Sequence, residues 1–324
     1  MEVLQVTPDN LIDDLKITST ANSFIEANTI EMSLDEIQQK HIVPVFTKDN
    51  ETAISHSEFI QGAVDAAKGY FNGITILEPQ IRVSHPIKGR IPEARNKPAK
   101  ELLEHEKTIF YERMAFLIEI PEICKEINGN KLSLVVGGVK AYNEDNLYAK
   151  KGSLEHFKIF IGFQNKVCLN LCIWTDGIKA DVKVNSLDEL VRLIHKMIKG
   201  FQAEAYLNIL AEFADLHISE RQFAQMLGKA KLYQQLSNNE KSDKPQFLFG
   251  ENNLSLIALL YYKSPFFARD ANGNINLWNL YNLFTWANKS NYIDRFLERG
   301  LNASEFISGI ATAIKKDSYH WFLD

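Results

Sequence analysis

The chain has 324 residues, of which 45% are hydrophobic and 24% are charged, and its formal net charge is -5. These proportions are ordinary for a globular protein, and the length allows one large domain or two. The acidic balance argues against a protein that coats duplex DNA with its whole surface, although it allows a local basic groove.

The sequence also predicts the cellular compartment of the protein. It contains no run of about 18 apolar residues, and its N-terminus lacks an apolar signal core. We therefore expect a cytoplasmic protein that has no membrane partner. The cysteines, Cys124, Cys168 and Cys172, are few and odd in number, which favours free thiols in a reducing compartment over a disulfide framework.

The N-terminal part predicts little regular structure before one clear helix. Residues 1–32 are polar and weakly patterned, which is typical of a loosely held arm. A short helix is expected after Ser33, and residues 41–46 predict an extended edge segment. Ser55 and Glu58 form a capping box that predicts a helix running to about Gly73.

The middle of the chain predicts a sheet, because it is rich in β-branched and aromatic residues between short polar connections. These connections carry proline, glycine and asparagine, which favours antiparallel pairing of successive strands over parallel crossovers. The predicted strands are 81–85, 108–120, 132–142, 156–163, 166–174 and 180–185.

From Ser186 onward the apolar period changes from two to about 3.6 residues, which predicts helices. Capping boxes at Ser186 and Ser219 mark two helix starts, Gly228 suggests a stop or a close-packing point, and Asn302 suggests a later helix start. Aromatic residues at helical spacing from Trp278 onward are typical of a core helix.

The predicted fold class is α+β, with a curved, mostly antiparallel sheet flanked by N- and C-terminal helices. The strands lie in the middle of the chain and the helices at both ends, and residues 237–246 are polar and charged like a linker. The predicted organisation is an arm at 1–32, a core domain at 33–236, the linker, and a helical region at 247–324 packed on the core.

One basic segment, from residue 81 to residue 100, stands out in this acidic chain because it contains a single acid, Glu93. Such a local excess of positive charge predicts an anionic partner, most naturally phosphate. The alternative is a solvated loop that only keeps the protein soluble.

A second candidate lies in residues 137–143, where two glycines in a strand would let another backbone or a ligand come close. A β-bulge is the alternative explanation. Lys140 and Tyr142 would flank the opening, and an aromatic ring beside cations suits stacking on a single strand. The predicted nucleic-acid-binding residues are Arg82, His85, Lys88, Arg90, Arg95, Lys97, Lys100, Arg113, Lys140 and Tyr142.

The sequence predicts no catalytic residue, no metal site and no cofactor. It lacks a glycine-rich nucleotide motif, and Cys168 and Cys172 have no second cysteine pair. Cys168 also has no local histidine to activate it. Asn170 is expected to be a buried amide that holds a turn, with Cys168, Asn170 and Cys172 alternating onto one strand face.

Several long blocks together resemble an uncharacterised bacterial family carried by mobile elements, a sibling of the phage/plasmid-like proteins of unknown function. They include HPIKGRIPEARNKPAKELLEHEKTIFYERMAFLIEIP, GGVKAYN, FIGFQNKVCLNLCIWTDG and LWNLYNLFTWANKSNYIDRF, and the resemblance spans about residues 35–310. The sibling group's cysteine-asparagine block and tryptophan-containing helix look like Cys168 with Asn170 and the helix of Trp278. The resemblance implies a plasmid, prophage or integrative-element context and no activity.

These observations favour a non-catalytic nucleic-acid-binding protein of a mobile element, with single-stranded DNA as the preferred partner. Two alternatives remain open at this point: an enzyme acting on a phosphate-containing substrate, and an inhibitor of a host defence or replication protein. A homo-oligomer is also possible, because aromatic and arginine side chains near residues 289–295 suit either a basic groove or a subunit interface.

Overall fold

The computed structural model describes residues 23–40, 54–94, 96–145 and 154–324. Within these residues one sheet contains six strands, and each strand pairs antiparallel with the next along the chain. They are β1 (Ile30–Met32), β2 (Gln80–Arg90), β3 (Lys107–Ile127), β4 (Asn130–Ala141), β5 (Glu155–Asn165) and β6 (Leu171–Val184). This arrangement confirms the antiparallel sheet.

Helices lie between β1 and β2 and after β6, so the predicted α+β class is confirmed. They are α1 (Leu34–Lys40), α2 (His56–Tyr70), α3 (Leu187–Gly200), α4 (Ala203–Asp215), α5 (Glu220–Gln235), α6 (Asn238–Lys241), α7 (Glu251–Lys263), α8 (Leu277–Asn288) and α9 (Ile293–Lys316). Two short strands, β7 (His217–Ile218) and β8 (Ile275–Asn276), pair antiparallel between helices. In the part of the chain described, no helix is both long and apolar enough to cross a membrane.

Both faces of the sheet are covered by helices. On one face, Phe59 of α2 packs edge-on against Phe116 and Phe157, with ring centroids 5.0 and 4.9 Å apart. On the other face, Phe296 near the start of α9 lies in a smaller apolar cluster with Ala115 and Val135. Burying each such large side chain contributes about 1.5–3 kcal/mol, so helices from both ends of the chain hold the sheet.

The two glycines of β4 provide room for aromatic rings. A Cβ atom at Gly137 would lie 2.6 Å from Phe160, and one at Gly138 would lie 2.3 Å from Phe59. Both glycines keep regular pairing with β3 and β5, so the alternative of a β-bulge at this position is wrong. The prediction that another group comes close to these glycines was correct. The groups include the core side chains of Phe160 and Phe59.

The connection between β5 and β6 differs from the prediction. Residues 166–170 form a turn, and the expected strands 166–174 and 180–185 are replaced by the single strand β6. Asn165 N–H donates to Asn170 O at 3.0 Å, and Leu169 adopts a φ of 56° inside the turn. The expected alternation of Cys168 and Asn170 on a strand face is therefore wrong.

Asn170 does hold this turn, as predicted. Its Nδ2 donates to the backbone oxygen of Asn282 in α8 at 3.0 Å, and both asparagines are fully buried. Asn165 Nδ2 donates to Asn282 Oδ1 at 3.1 Å. The core role predicted for the helix of Trp278 is also confirmed, because Trp278 is fully buried.

The helix starts at Ser55, Ser186 and Ser219 are confirmed, since each serine hydroxyl accepts the N–H of the residue three positions later. The later signals are wrong. Helix α5 runs through Gly228, where an added Cβ would meet nothing within 4 Å, so the glycine is neither a stop nor a close-packing point. Asn302 lies inside α9. There the Asn302 side chain accepts Leu248 N–H and donates to Gln246 O, at 2.9 Å each.

Candidate nucleic-acid interface

The basic segment lies at the end of a two-stranded ribbon that extends beyond the rest of the sheet. β1 pairs only with residues 81–83 of β2, and β4 pairs with β3 only from Arg113 onward. Among the described strands, residues 84–90 and 107–112 therefore pair only with each other. We call these residues, with Arg113 at the base, the ribbon; its length is about 20 Å.

One face of the ribbon carries four cationic side chains. The register pairs Arg90 with Lys107, Lys88 with Ile109 and Ser84 with Arg113, and partners in an antiparallel pair share a face. The same face continues along β3 to Ala115, which belongs to the cluster under α9. We call the surface of Lys88, Arg90, Lys107 and Arg113 the ribbon face.

Acidic side chains from the loop between β2 and β3 offset part of this charge. Lys97 forms an ion pair with Glu106, and Lys107 forms one with Glu104. Hydrogen bonds from Lys97 and from the Leu103 N–H keep the pKa of Glu106 below its usual range. The nearly unmixed basic segment of the sequence is thus a mixed surface in the fold.

Two predicted cations remain open to solvent. Lys88 and Lys100 are exposed, and neither makes an ion pair with any of the described residues. Arg90 is half-buried and donates to the backbone oxygen of Lys97, so it partly serves to hold the loop. A cavity of about 540 Å³ at the tip of the ribbon is bounded by Lys88, Arg90 and Lys107.

Three other predicted nucleic-acid contacts, Arg82, Lys140 and Tyr142, do not lie on the ribbon face. Arg82 is held by Thr29, the residue before β1, because Nε donates to Thr29 Oγ1 at 3.0 Å and Nη2 donates to Thr29 O at 2.8 Å. Burial, the largest influence, lowers the pKa of Arg82. Arg95 lies outside the described residues.

Lys140 and Tyr142 lie inside the molecule, so the expected stacking surface at Tyr142 is wrong. Both are 0% exposed. Lys140 Nζ is 2.6 Å from Asp145 Oδ2 and 2.9 Å from Glu155 Oε2. The Tyr142 ring stacks on His56 with centroids 4.7 Å apart, and burial raises its pKa well above the usual value.

A different aromatic ring is exposed at the base of the ribbon. Tyr292, the residue before α9, is 52% exposed. Its ring centroid lies 5.9 Å from the Arg113 guanidinium carbon and 6.2 Å from the His85 ring centroid. Tyr292 belongs to the 289–295 portion that the sequence offered as an extension of a basic groove or as a subunit interface, whereas Lys289 of the same portion is buried.

His85 and Arg113 form the base of the ribbon face together. His85 has a φ of 58°, and its Nε2 lies 3.5 Å from Arg113 Nη1. Arg113 also lies 3.7 Å from carboxylate oxygens of Glu112 and Asp294. A positive φ in a residue other than glycine costs energy and often occurs at functional sites. The arrangement can bind a planar base or an anion.

The rest of the described chain supplies no metal cluster of histidine, cysteine and carboxylate side chains. Cys168 and Cys172 are fully buried, and burial raises the pKa of the Cys168 thiol to about 12. Neither thiol is positioned to act as a nucleophile, because a reactive cysteine needs an accessible thiolate.

A family model described as "Domain of unknown function, B. Theta Gene description (DUF3871)" matches residues 5–323. The chain belongs to this family. No curated protein and no solved structure matches it. Since the match covers nearly the whole chain, the ribbon, Tyr292 and the C-terminal helices are all parts of this domain of unknown function.

Proposed function

We propose that this protein binds nucleic acid without catalysis, with single-stranded DNA preferred over duplex, in the service of a mobile genetic element. The observation that carries the proposal is the exposed Tyr292 ring at the base of the ribbon face. Bases stack on aromatic rings regardless of sequence, and cations beside the ring hold the backbone phosphates. A base in a duplex presents no free face to such a ring.

Solvent-exposed lysine side chains extend the proposed binding surface away from the Tyr292 ring. Lys88 is three residues beyond His85 on β2, which places it about 10 Å farther along the ribbon. Lys88 forms no ion pair with the described residues, and Glu104, which lines the same cavity, pairs with Lys107 instead, so the Lys88 ammonium group is available to phosphate. The ribbon face therefore offers stacking at its base and phosphate contacts toward its tip, over a short length of strand.

The first experiment measures the binding of purified protein to labelled 12-residue single-stranded DNA and to the matching duplex, by fluorescence anisotropy at several salt concentrations. We expect salt-dependent binding that prefers the single strand. A protein inhibitor predicts no such binding, and so does an enzyme on a phosphate-containing substrate that is not a nucleic acid. The absence of binding at low salt would contradict the proposal.

Variants locate the contacts. Lys88→Ala with Lys100→Ala should lower the salt slope by about 0.7 for each phosphate of a single strand that no longer pairs with a lysine. Both side chains are exposed and outside ion pairs, so folding should not change. The matched control is Lys196→Ala with Lys199→Ala, two exposed lysines of α3 on the opposite side of the sheet. If the salt slope of the Lys88→Ala, Lys100→Ala variant equals that of the wild type, the phosphates are bound at another part of the surface.

Tyr292→Ala tests the stacking contact. It should weaken single-strand binding by about 1–3 kcal/mol, the usual value of one base–aromatic stack, whereas Tyr292→Phe should bind like the wild type. The control is Tyr319→Ala, which removes a ring that is 71% exposed near the C-terminus. Equal losses in Tyr292→Ala and Tyr319→Ala would show that neither ring is a specific platform.

A further inference from the structure

A second cavity, of about 610 Å³, opens beside Tyr292. Its volume is within the range of small-ligand sites, roughly 300–1,000 Å³. It lies between the first turn of α7, the turn that joins α8 to α9, and Arg299 of α9. Its polar lining consists mainly of amide and hydroxyl side chains, which are those of Asn28, Asn252, Asn253, Ser290 and Asn291.

The Arg299 guanidinium is held in position by a chain of amides. Its Nη1 donates to Asn291 Oδ1. Asn291 Nδ2 donates to Asn288 Oδ1, and Asn288 Nδ2 donates to Phe296 O, at 2.9 Å each. Asn288 and Asn291 are 2% and 7% exposed. Because these amides are fixed by packing, little side-chain freedom remains to be lost when a ligand binds to the arginine.

The charge of Arg299 has no carboxylate partner within ion-pair distance among the described residues. Burial lowers the pKa of Arg299, and the neighbouring Arg295 lowers it further, with partial compensation from Glu298 and Asp294. The carboxylate in the lining, Glu251, is exposed and forms an ion pair with Lys231 at 3.3 Å instead of with Arg299. A half-buried cation of this kind favours an anion, and a planar guanidinium matches phosphate oxygens in pairs.

We propose that this pocket holds the terminal, phosphate-bearing nucleotide of the strand bound along the ribbon face, with the phosphate on Arg299 and the base against Tyr292. The inference rests on the proposed function and adds recognition of a strand end. Tyr292 belongs both to the cavity wall and to the base of the ribbon. A strand end that stacks on Tyr292 therefore lies at the cavity that Arg299 lines. Asn252 and Ser290 are placed to bind the sugar or the base edge.

The test compares internally labelled 8-residue single strands that carry a 5′-phosphate, a 3′-phosphate or hydroxyls at both ends. We expect one phosphorylated strand to bind roughly tenfold more tightly than the hydroxyl strand, the effect of a charge-assisted hydrogen bond. Whichever end gives the effect identifies the polarity of the bound strand. Equal affinities for all three strands, together with salt-dependent binding, would overturn the pocket while leaving the proposed function intact.

Two variants separate the pocket from general folding effects. Arg299→Gln should abolish the preference for the terminal phosphate. Asn252→Asp adds a negative charge to an exposed position in the first turn of α7, where an acid favours the helix, so it should weaken phosphate binding without lowering the melting temperature. The control Arg192→Gln removes an exposed charge from α3 and should keep the preference. A preference that survives in Asn252→Asp would contradict the assignment.

If no oligonucleotide binds, the proposed function fails and the pocket is tested alone. Isothermal titration calorimetry with deoxyadenosine 5′-monophosphate should then give binding that is lost in both Arg299→Gln and Asn252→Asp. Absence of heat at millimolar nucleotide, or binding that both variants retain, would overturn the pocket.

Discussion

Lys140 shows why a charged residue in a sequence does not reveal its surroundings. Its neighbours Val139 and Ala141 are apolar, and in the sequence it resembles the cations of the basic segment. Its partners, Asp145 and Glu155, come from the two sides of the connection between β4 and β5, and only the folded sheet brings them to one ammonium group. The burial of Lys140 therefore depends on contacts that no local pattern contains.

Removing this ammonium group should strongly destabilise the fold. Lys140→Ala leaves the buried carboxylates of Asp145 and Glu155 without their cation, which typically costs about 3–5 kcal/mol. Urea denaturation of the variant against the exposed-site control Lys196→Ala gives the difference in free energy of unfolding. A loss below about 1 kcal/mol, with weaker DNA binding instead, would restore Lys140 as a ligand contact.

Lys289 predicts a dependence of stability on pH. It is 1% exposed, its Nζ donates to Cys168 O, and burial lowers its pKa to about 8. An unfolded lysine has a pKa of about 10.4, so between these two values the unfolded chain binds more protons at this site. The free energy of unfolding contributed by Lys289 should therefore rise with pH over that range, by up to about 1.4 kcal/mol per pH unit.

The measurement is urea denaturation of the wild type and of Lys289→Met between pH 7.5 and 9.5. Groups other than Lys289, including the Cys168 thiol, are present in both proteins and largely cancel in the difference. The wild type should gain stability relative to the variant as the pH rises above about 8, where the folded-state amine loses its proton. A difference that stays constant or falls would show that Lys289 is charged in the folded protein throughout.

At the scale of elements, the strands with strong β-branched and aromatic patterns were predictable, and those that depend on distant partners were not. The composition located β3, β4 and β5 because β-branched and aromatic residues fill strands that are buried over much of their length. It ended β2 at residue 85, before Pro86 and Gly89. Proline is tolerated there because the adjoining edge of β2 has no pairing strand among the described residues.

The turn between β5 and β6 illustrates the same limit. Residues 166–174 have the composition of a strand, and the turn is held by the backbone and side-chain oxygens of Asn282, more than a hundred residues away. The sequence also could not show that acids following residue 100 fold back on Lys97 and Lys107. Of the candidate site, the location on β2 and the exposed Lys88 and Lys100 were predictable, whereas Tyr292 joins them only through the packing of α9.

The packing of β4 between two rings gives a prediction for glycine substitutions. Gly138→Ala should destabilise the protein by about 2 kcal/mol or more, because its Cβ would lie 2.3 Å from Phe59 Cζ and 3.0 Å from the backbone oxygen of Lys158. The matched control is Gly69→Ala in α2, where nothing lies within 4 Å and alanine should stabilise the helix by about 0.5–1 kcal/mol.

Thermal and urea denaturation of both glycine variants measure these changes in the free energy of unfolding. Opposite signs are expected for the two alanines. Equal stability of Gly138→Ala and the wild type would mean that Phe59 moves without cost, and the close approach would then not be the reason for glycine in β4.

At the scale of the whole molecule, the sheet and the C-terminal helices share one core. The Trp174 ring of β6 stacks on Tyr206 of α4 with centroids 5.3 Å apart, and the Tyr206 hydroxyl lies 3.2 Å from that of Tyr281 in α8. Phe247, just after the expected linker, packs against Phe306 of α9 at 5.0 Å. Two contacts cross the predicted boundary at residues 237–246: the pair of Tyr206 with Tyr281, and that of Tyr233 in α5 with Phe247, whose ring centroids are 6.3 Å apart.

A shared core predicts that residues before and after this boundary unfold together. Trp174 reports on the sheet, and Trp278 and Trp286 report on α8, so single-tryptophan variants that keep Trp174 or Trp278 follow the two regions separately. We expect their fluorescence transitions in urea to coincide with each other and with the loss of far-ultraviolet circular dichroism, because helices and strands are stabilised by the same buried core and unfold in one step. Transitions separated by more than the fitting error would instead show that residues 247–324 unfold as a unit of their own. Tyr292 and Arg299 lie in residues 247–324, whereas the ribbon lies before the predicted boundary. Separate transitions would therefore also mean that the proposed interface is complete only while both regions are folded.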